Sequence, residues 1–179
     1  MRIVAGKFRS RRITAPNSLP VRPTTDMAKE ALFNILNHRY HFHDIAALDL
    51  FSGTGNISYE FASRGTESIV AVDQNFQCTK FISQTSEGFE MPIQVVKADV
   101  FKFLEKTKQP QTIIFADPPY ELPNIENIYD LVFEKNCLKP KGILIIEHGS
   151  KTDLSAKKYF TGCRKYGNVH FSFFENAED

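Results

Sequence analysis

The stretch Ala46–Ser58, "AALDLFSGTGNIS", decides the fold. An apolar run closes on Asp49, and Gly53 and Gly55 then make a tight turn into what reads as a helix. Glycines let a backbone approach a ligand closely, and a helix N-terminus offers free N–H groups. Downstream, apolar runs alternate with helical segments: "SIVAVD", a helix from about Asn75, "IQVVKAD", a helix from about Val100, "TIIFAD", a helix over "IENIYDLVFEKN", and "GILIIEH". Runs that are apolar at consecutive positions suit strands buried on both faces. Their alternation with helices predicts an α/β fold, a mostly parallel sheet covered by helices on both sides. In "KYFTGCRKYGNVHFSFF" no helix separates the last two runs, and "YGN" reads as a hairpin turn. The last strand is therefore expected to be antiparallel.

Upstream of the sheet, "RIVAGKF" and "RRITAP" read as a short hairpin turning at "KFRS". A helix then starts near Thr24 or Thr25, with Ala28, Ala31, Leu32, Ile35 and Leu36 at the spacing of one buried face. His38 to His43 form a polar link. The chain divides into a small extension over residues 1–44 and a main domain over residues 45–179.

A chain of 179 residues suits one domain with a small appendage and can bury a sizeable core without disulfides or metals. Cys78, Cys137 and Cys163 are far apart and odd in number, which suits a reducing cytosol, with the thiols buried or inert. His38, His41 and His43 match no common metal spacing, so no metal is expected. No apolar run has the length of a membrane span, and "MRIVAGKFRSRR" has no signal-peptide core. A cytoplasmic protein without membrane contact is expected, and nothing demands more than a monomer. Formal net charge is only +1, but it is uneven. Arg2, Lys7, Arg9, Arg11, Arg12 and Arg22 fall within residues 1–25, which contain no acid. Such an arm can neutralise phosphates of a nucleic acid, or it can be an ordinary solvated basic strand.

In an open α/β sheet, ligands bind outside the carboxyl ends of the strands. The second strand ends at Asp73, about twenty residues after the glycine turn, where an acid can accept hydrogen bonds from ribose hydroxyls. The third ends at Asp99, placed to accept from an adenine amine. Asp49 either fixes the turn or meets the amino-acid part of a ligand. Each acid alone reads as a loop residue or helix cap. In series with Gly53 and Gly55 they suit an adenosine ligand. Ser58 replaces the third glycine of the dinucleotide fingerprint, which disfavours NAD. The fourth strand delivers Asp117, Pro118, Pro119 and Tyr120. The prolines stiffen the turn. The Asp117 carboxylate and Pro118 carbonyl suit the two N–H groups of an exocyclic base amine, and Tyr120 suits stacking on a flipped-out base.

"DLFSGTGNIS" followed by "DPPY" resembles an S-adenosylmethionine-dependent amino-methyltransferase. "MRIVAGKFRSRRITAP", "VRPTTDMAKEALFNIL" and "YGNVHFSFF" narrow the resemblance to the RsmD family, over nearly the whole chain. The resemblance implies a Rossmann-like class I methyltransferase fold, with a seven-stranded sheet and a small N-terminal extension. It implies methylation of a guanine N2 in 16S ribosomal RNA, as naked RNA or in the assembling small subunit. Donor contacts are implied around Phe51, Gly53, Gly55, Asp73 and Asp99, and catalysis at Asp117 to Tyr120. Arg22, Pro23, Thr24 and Thr25 are placed by the same resemblance near the donor or target base, and Arg22 can equally contact phosphate. The same turn serves adenine N6 methyltransferases of DNA or other RNA, which stand as the nearest alternative. An NAD oxidoreductase gives no role to "DPPY", and Asp117 with both glycines argues against a non-catalytic RNA-binding module.

Overall fold

A computed structural model describes residues 1–21 and 23–177. Arg22 lies outside the described residues. The main domain alternates β1 (Ala46–Leu50), α2 (Asn56–Ser63), β2 (Ser68–Asp73), α3 (Phe76–Gly88), β3 (Ile93–Lys97), α4 (Val100–Lys106), β4 (Gln111–Ala116), α5 (Glu126–Glu134) and β5 (Leu138–His148). The hairpin β6 (Phe160–Tyr166) and β7 (Val169–Glu175) closes the chain, and α1 (Asp26–Asn37) precedes the sheet. The seven strands run in the order β3-β2-β1-β4-β5-β7-β6. Pairs from β3 through β5 are parallel, while β7 is antiparallel to both β5 and β6, as the sequence leads one to expect.

The continuous apolar runs are explained by burial on two faces. Ala47, Phe115 and Ile145 join the cluster that contains Leu32 and Phe33 of α1, Phe61 of α2 and Ile82 of α3. Leu48, Ile114 and Ile146, each one position away, join Leu104 of α4 and Ile128 of α5. Strand side chains alternate between faces, so a strand in the middle of the sheet needs apolar residues at every position. The edge strand β3 is correspondingly more exposed. Between β5 and β6 there are turns and no helix. Cys78 and Cys137 are buried, whereas Cys163, expected to be buried or inert, is exposed on β6.

The expected N-terminal hairpin forms but is cut short: its arms meet at a bridge between Arg2 and Arg12, where Ile3 N donates to Arg11 O and Ile13 N to Met1 O, and the ladder does not continue toward Gly6. The reason is competition from α2. Glu60 accepts from the backbone of Val4 at 3.0 Å and of Ala5 at 3.1 Å, and Ser63 accepts from Phe8 at 3.0 Å. Gly6, at φ +86°, passes so close that a Cβ there would lie 1.9 Å from the Ser63 carbonyl oxygen. Amides that a hairpin ladder would use are spent on α2 instead.

Thr25 caps α1 by accepting from Ala28 N at 3.2 Å. Ala28, Leu32 and Leu36 are buried as anticipated, but Phe33 and Lys29 join them while Ala31 and Ile35 are only half-buried. The helix is rotated toward α2 because Lys29 is drawn inside. Its ammonium donates to Arg2 O at 2.6 Å and Asn56 Oδ1 at 2.8 Å, and lies 3.4 Å from Glu60. Burial pushes the Lys29 pKa down, opposed by Glu60. Glu60 also meets Arg64 Nε at 3.0 Å. Glu60→Ala strips the buried Lys29 of its counter-charge and two backbone amides of their acceptor. The expected loss of stability is ~3–5 kcal/mol, read from urea unfolding curves.

Candidate active site

The strand order reverses at β1, with β2 on one side and β4 on the other. Beyond the carboxyl ends of these strands lies the crevice where α/β folds bind ligands. The turn after β1 is held from both sides. Ser52 N donates to Val72 O at 3.0 Å and Gly53 N to Asp73 Oδ2 at 2.9 Å, both toward β2. On the other side Asp117 N donates to Leu50 O at 3.2 Å, so the Asp117–Tyr120 turn starts beside the glycine turn. Gly55 has φ +88°, and a Cβ there would fall 2.6 Å from the Tyr59 ring. Phe51 also has positive φ, 57°, and its ring meets Phe101 edge-on at 6.3 Å. Val21 of the extension packs over Gly53, 3.4 Å from where a Cβ would stand.

Strand alternation then collects acids on a single face. Asp49, Asp73, Asp117 and Glu147 each lie two residues after a side chain of the α1/α2 core, namely Ala47, Ala71, Phe115 and Ile145. The register pairs Ala116 with Ile146, so Asp117 and Glu147 come next, side by side. Asp49 is buried and accepts from Ser58 Oγ at 2.7 Å. Its pKa rises to about 7, chiefly through burial and with a further push from Asp73, while Ser58 pulls the other way. Asp117 is held well above the usual carboxylate range by burial first, then by Glu147 and Asp49. Glu147 is also raised by burial, against the hydroxyls of Thr24 and Tyr120. No lysine or arginine in the described residues forms an ion pair with these four acids. The set suits a cationic ligand, as a sulfonium or ammonium would be, because such a charge offsets the repulsion.

The other expected residues take more local parts. Asp73 uses both oxygens on backbone amides, Gly53 N at 2.9 Å and Asn75 N at 2.8 Å. Each oxygen keeps a second lone pair for a ligand hydroxyl. Asp99 caps α4 by accepting from Lys102 N at 3.0 Å. Pro118 is buried and Pro119 exposed. The Tyr120 ring lies against Gly149, where a Cβ would come within 3.0 Å of Cδ2, and its hydroxyl donates to Glu147 at 3.0 Å. Arg2, Lys7, Arg9, Arg11 and Arg12 are all exposed. Lys7 N is tied to Ser63 O at 2.7 Å, at the end of α2 remote from the glycine turn, one helix length or about 12 Å away. Arg2 pairs with Asp26 at 3.3 Å.

One residue of the site escapes the sequence reading. Glu147 closes "GILIIEH", so the rule that collects the acid at each strand end, carried to the fifth strand, finds it. Thr24 is placed near the donor or target base by the family resemblance alone, and the fold brings its hydroxyl to Glu147 at 2.8 Å.

Comparison with known proteins places this arrangement. The model of the family described as Conserved hypothetical protein 95 matches residues 1–175. Ribosomal RNA small subunit methyltransferase D of Haemophilus influenzae is 29% identical, over 98% of this chain and 94% of its own. A solved structure of a hypothetical protein from Thermus thermophilus superposes with a TM-score of 0.86, covering 98% of this chain and 99% of that one at 25% identity. The Thermus thermophilus 16S rRNA N2 methyltransferase RsmC, in complex with AdoMet and guanosine, has a TM-score of 0.69 over 88% of this chain and 45% of its own. At 20% identity that likeness shows the fold alone.

The acid cluster has a measurable signature. A carboxyl whose folded pKa lies above its unfolded one favours the native state when protonated, and this benefit disappears as pH rises from the unfolded to the folded value. For Asp49 that window runs from 3.8 to about 7. Asp49→Asn is therefore expected to gain stability over wild type as pH rises through this window, with the gap flat above it. Ligand-free thermal melts between pH 4 and pH 8 check this.

Proposed function

The chain belongs to the RsmD family of ribosomal RNA methyltransferases, and from that premise we propose that it methylates the exocyclic N2 of a guanine in 16S ribosomal RNA, with S-adenosylmethionine as donor. In this reading residues 1–44 meet the RNA and residues 45–179 carry the chemistry. The donor occupies the crevice bounded by Asp49, Phe51, Gly53, Gly55, Asp73 and Asp99. When bound it supplies an electrophilic methyl on a sulfonium, which leaves as a neutral thioether. The protein's work is alignment, worth many orders of magnitude when reacting atoms are held in line.

The observation that carries the reading is the pair of adjacent carboxylates, Asp117 and Glu147, at the end of the rigid turn. Ionised carboxylates only accept hydrogen bonds. The Watson–Crick edge of guanine offers N1–H and the N2 amine as neighbouring donors. Adenine offers its N6 amine beside the N1 lone pair, which the negative field of Glu147 beside Asp117 disfavours without contact. The cationic donor favours the ionised form of Asp117. Asp117 and the Pro118 carbonyl then orient the amine, and Tyr120 stacks on the base. As the N–C bond forms and the C–S bond breaks, the nitrogen gives its proton to Asp117 or to water.

Purified protein, donor with a labelled methyl, and unmodified small subunits, naked 16S rRNA or DNA as acceptors test this directly. Label in N2-methylguanosine is the expected result, and label in N6-methyladenine overturns the base assignment. Asp117→Ala is expected to lower kcat by a factor on the order of 100 or more while leaving donor affinity nearly unchanged. Near-normal turnover would remove Asp117 from the chemistry. Separately, replacing Arg9, Arg11 and Arg12 with Ala should weaken RNA binding and reduce its salt slope by about one for each phosphate left without a cationic partner. An unchanged slope in filter-binding titrations marks them as solvated surface charges.

A further inference from the structure

The buried polar side chains around the site form one connected chain that joins the donor side to the base side. Asn56, the first residue of α2 after the glycine turn, accepts from Lys29 at 2.8 Å and donates to the Thr24 carbonyl at 3.1 Å. The Thr24 hydroxyl donates to Glu147 Oε2 at 2.8 Å. Glu147 Oε1 accepts from the Tyr120 hydroxyl at 3.0 Å. Asn56, Thr24 and Glu147 are all buried. A single residue of the N-terminal extension thus touches the helix after the glycine turn with its carbonyl and Glu147 of β5, the partner of Tyr120, with its hydroxyl.

We propose that Glu147 is a positioning residue for methyl transfer, which holds the Tyr120 ring in its stacking pose and locks it, through Thr24, to the helix that follows the donor turn. Among the described residues, the ring is supported by the bare backbone of Gly149 beneath it and by the hydrogen bond at its tip. Gly149 prevents the ring from sinking, and the bond at the tip prevents it from swinging. Glu147 is itself gripped at both oxygens by hydroxyls from different parts of the chain, Thr24 before α1 and Tyr120 after β4. It cannot move toward one without breaking the bond to the other. Hydrogen bonds to an ionised acceptor are stronger than neutral ones, and burial strengthens them further. The Tyr120 hydroxyl therefore has a task, although stacking itself needs only the ring. This inference rests on the methyltransferase reading above for its readout, but not on the identity of the base.

The test compares kcat, KM for RNA and donor Kd for wild type, Tyr120→Phe, Thr24→Val, Thr24→Ser and Glu147→Gln, with thermal melts to confirm folding. Tyr120→Phe and Thr24→Val each remove one bond to Glu147 at nearly constant volume. They are expected to lower kcat roughly 10–100-fold, the effect of losing a hydrogen bond to a charged group, with donor Kd changed less than about threefold. Thr24→Ser keeps the hydroxyl and is expected to restore most of kcat, and Glu147→Gln to lose at least as much as Tyr120→Phe. Should Tyr120→Phe and Glu147→Gln both stay within about twofold of wild-type kcat, the inference is wrong. It is equally wrong if Thr24→Ser falls as far as Thr24→Val, since packing would then explain the loss. Nucleoside analysis of the wild-type product runs alongside. A label elsewhere than guanine N2 overturns the base assignment, while the variant ratios on whichever nucleoside is labelled still decide the role of Glu147.

Discussion

Everything at the active crevice follows from the alternation of side chains in a parallel sheet. Four strands end at the same edge, and the register sets Asp49, Asp73, Asp117 and Glu147 on one face of it. Like charges so placed repel, and burial denies them the screening of water. The raised pKa values of Asp49, Asp117 and Glu147 are the measure of that tension. A sheet whose only purpose was stability would end its strands differently. The cluster makes sense when a positive charge arrives, and a sulfonium donor brings one. In the proposed reading Asp49 and Asp73, which stand by the glycine turn, grip the donor, while Asp117 meets the base.

The N-terminal extension is tied into this arrangement by polar contacts as well as by apolar side chains such as Leu32 and Phe33. Glu60 gathers Lys29, Arg64 and two backbone amides, and Lys29 passes the connection to Asn56. Buried ion pairs contribute little net stability compared with apolar residues of the same size, but removing one partner is expensive. What they add is a definite geometry. Lys29 fixes the rotation of α1, and that rotation sets where Thr24, just before the helix, can reach.

Most of the fold was legible because strands buried on both faces leave continuous apolar runs, and helices between them leave a different period. "YGN" gave away the antiparallel hairpin in the same way, and Gly167 in that turn does take a positive φ of 63°. The N-terminal hairpin is shorter than its pattern for a physical reason. Its residues have strand-like character, yet their amides are claimed by Glu60 and Ser63, which stand 55 or 56 positions away. A local pattern cannot announce a partner at that distance. Lys29 was invisible as a core residue because lysine normally belongs on the surface. Of the site itself, the turns and acids at strand ends could be read one by one. Their convergence, and the doubling of Asp117 by Glu147, became apparent only with the register. Asp99 shows the converse, since the ordinary role of helix cap is the one the structure displays.

The bond between Thr24 and Glu147 spans 123 positions of the chain. A protein is made from its N-terminus, so Thr24 leaves the ribosome long before its acceptor exists. The glycine turn, α2 and the Asp117 turn can all form earlier, during synthesis. The Tyr120 ring cannot be fastened until the fifth strand has been added. The order of translation therefore makes the base-side support one of the last parts to be completed, and a nascent or truncated chain lacking that strand carries the recognisable motifs without the support that connects them.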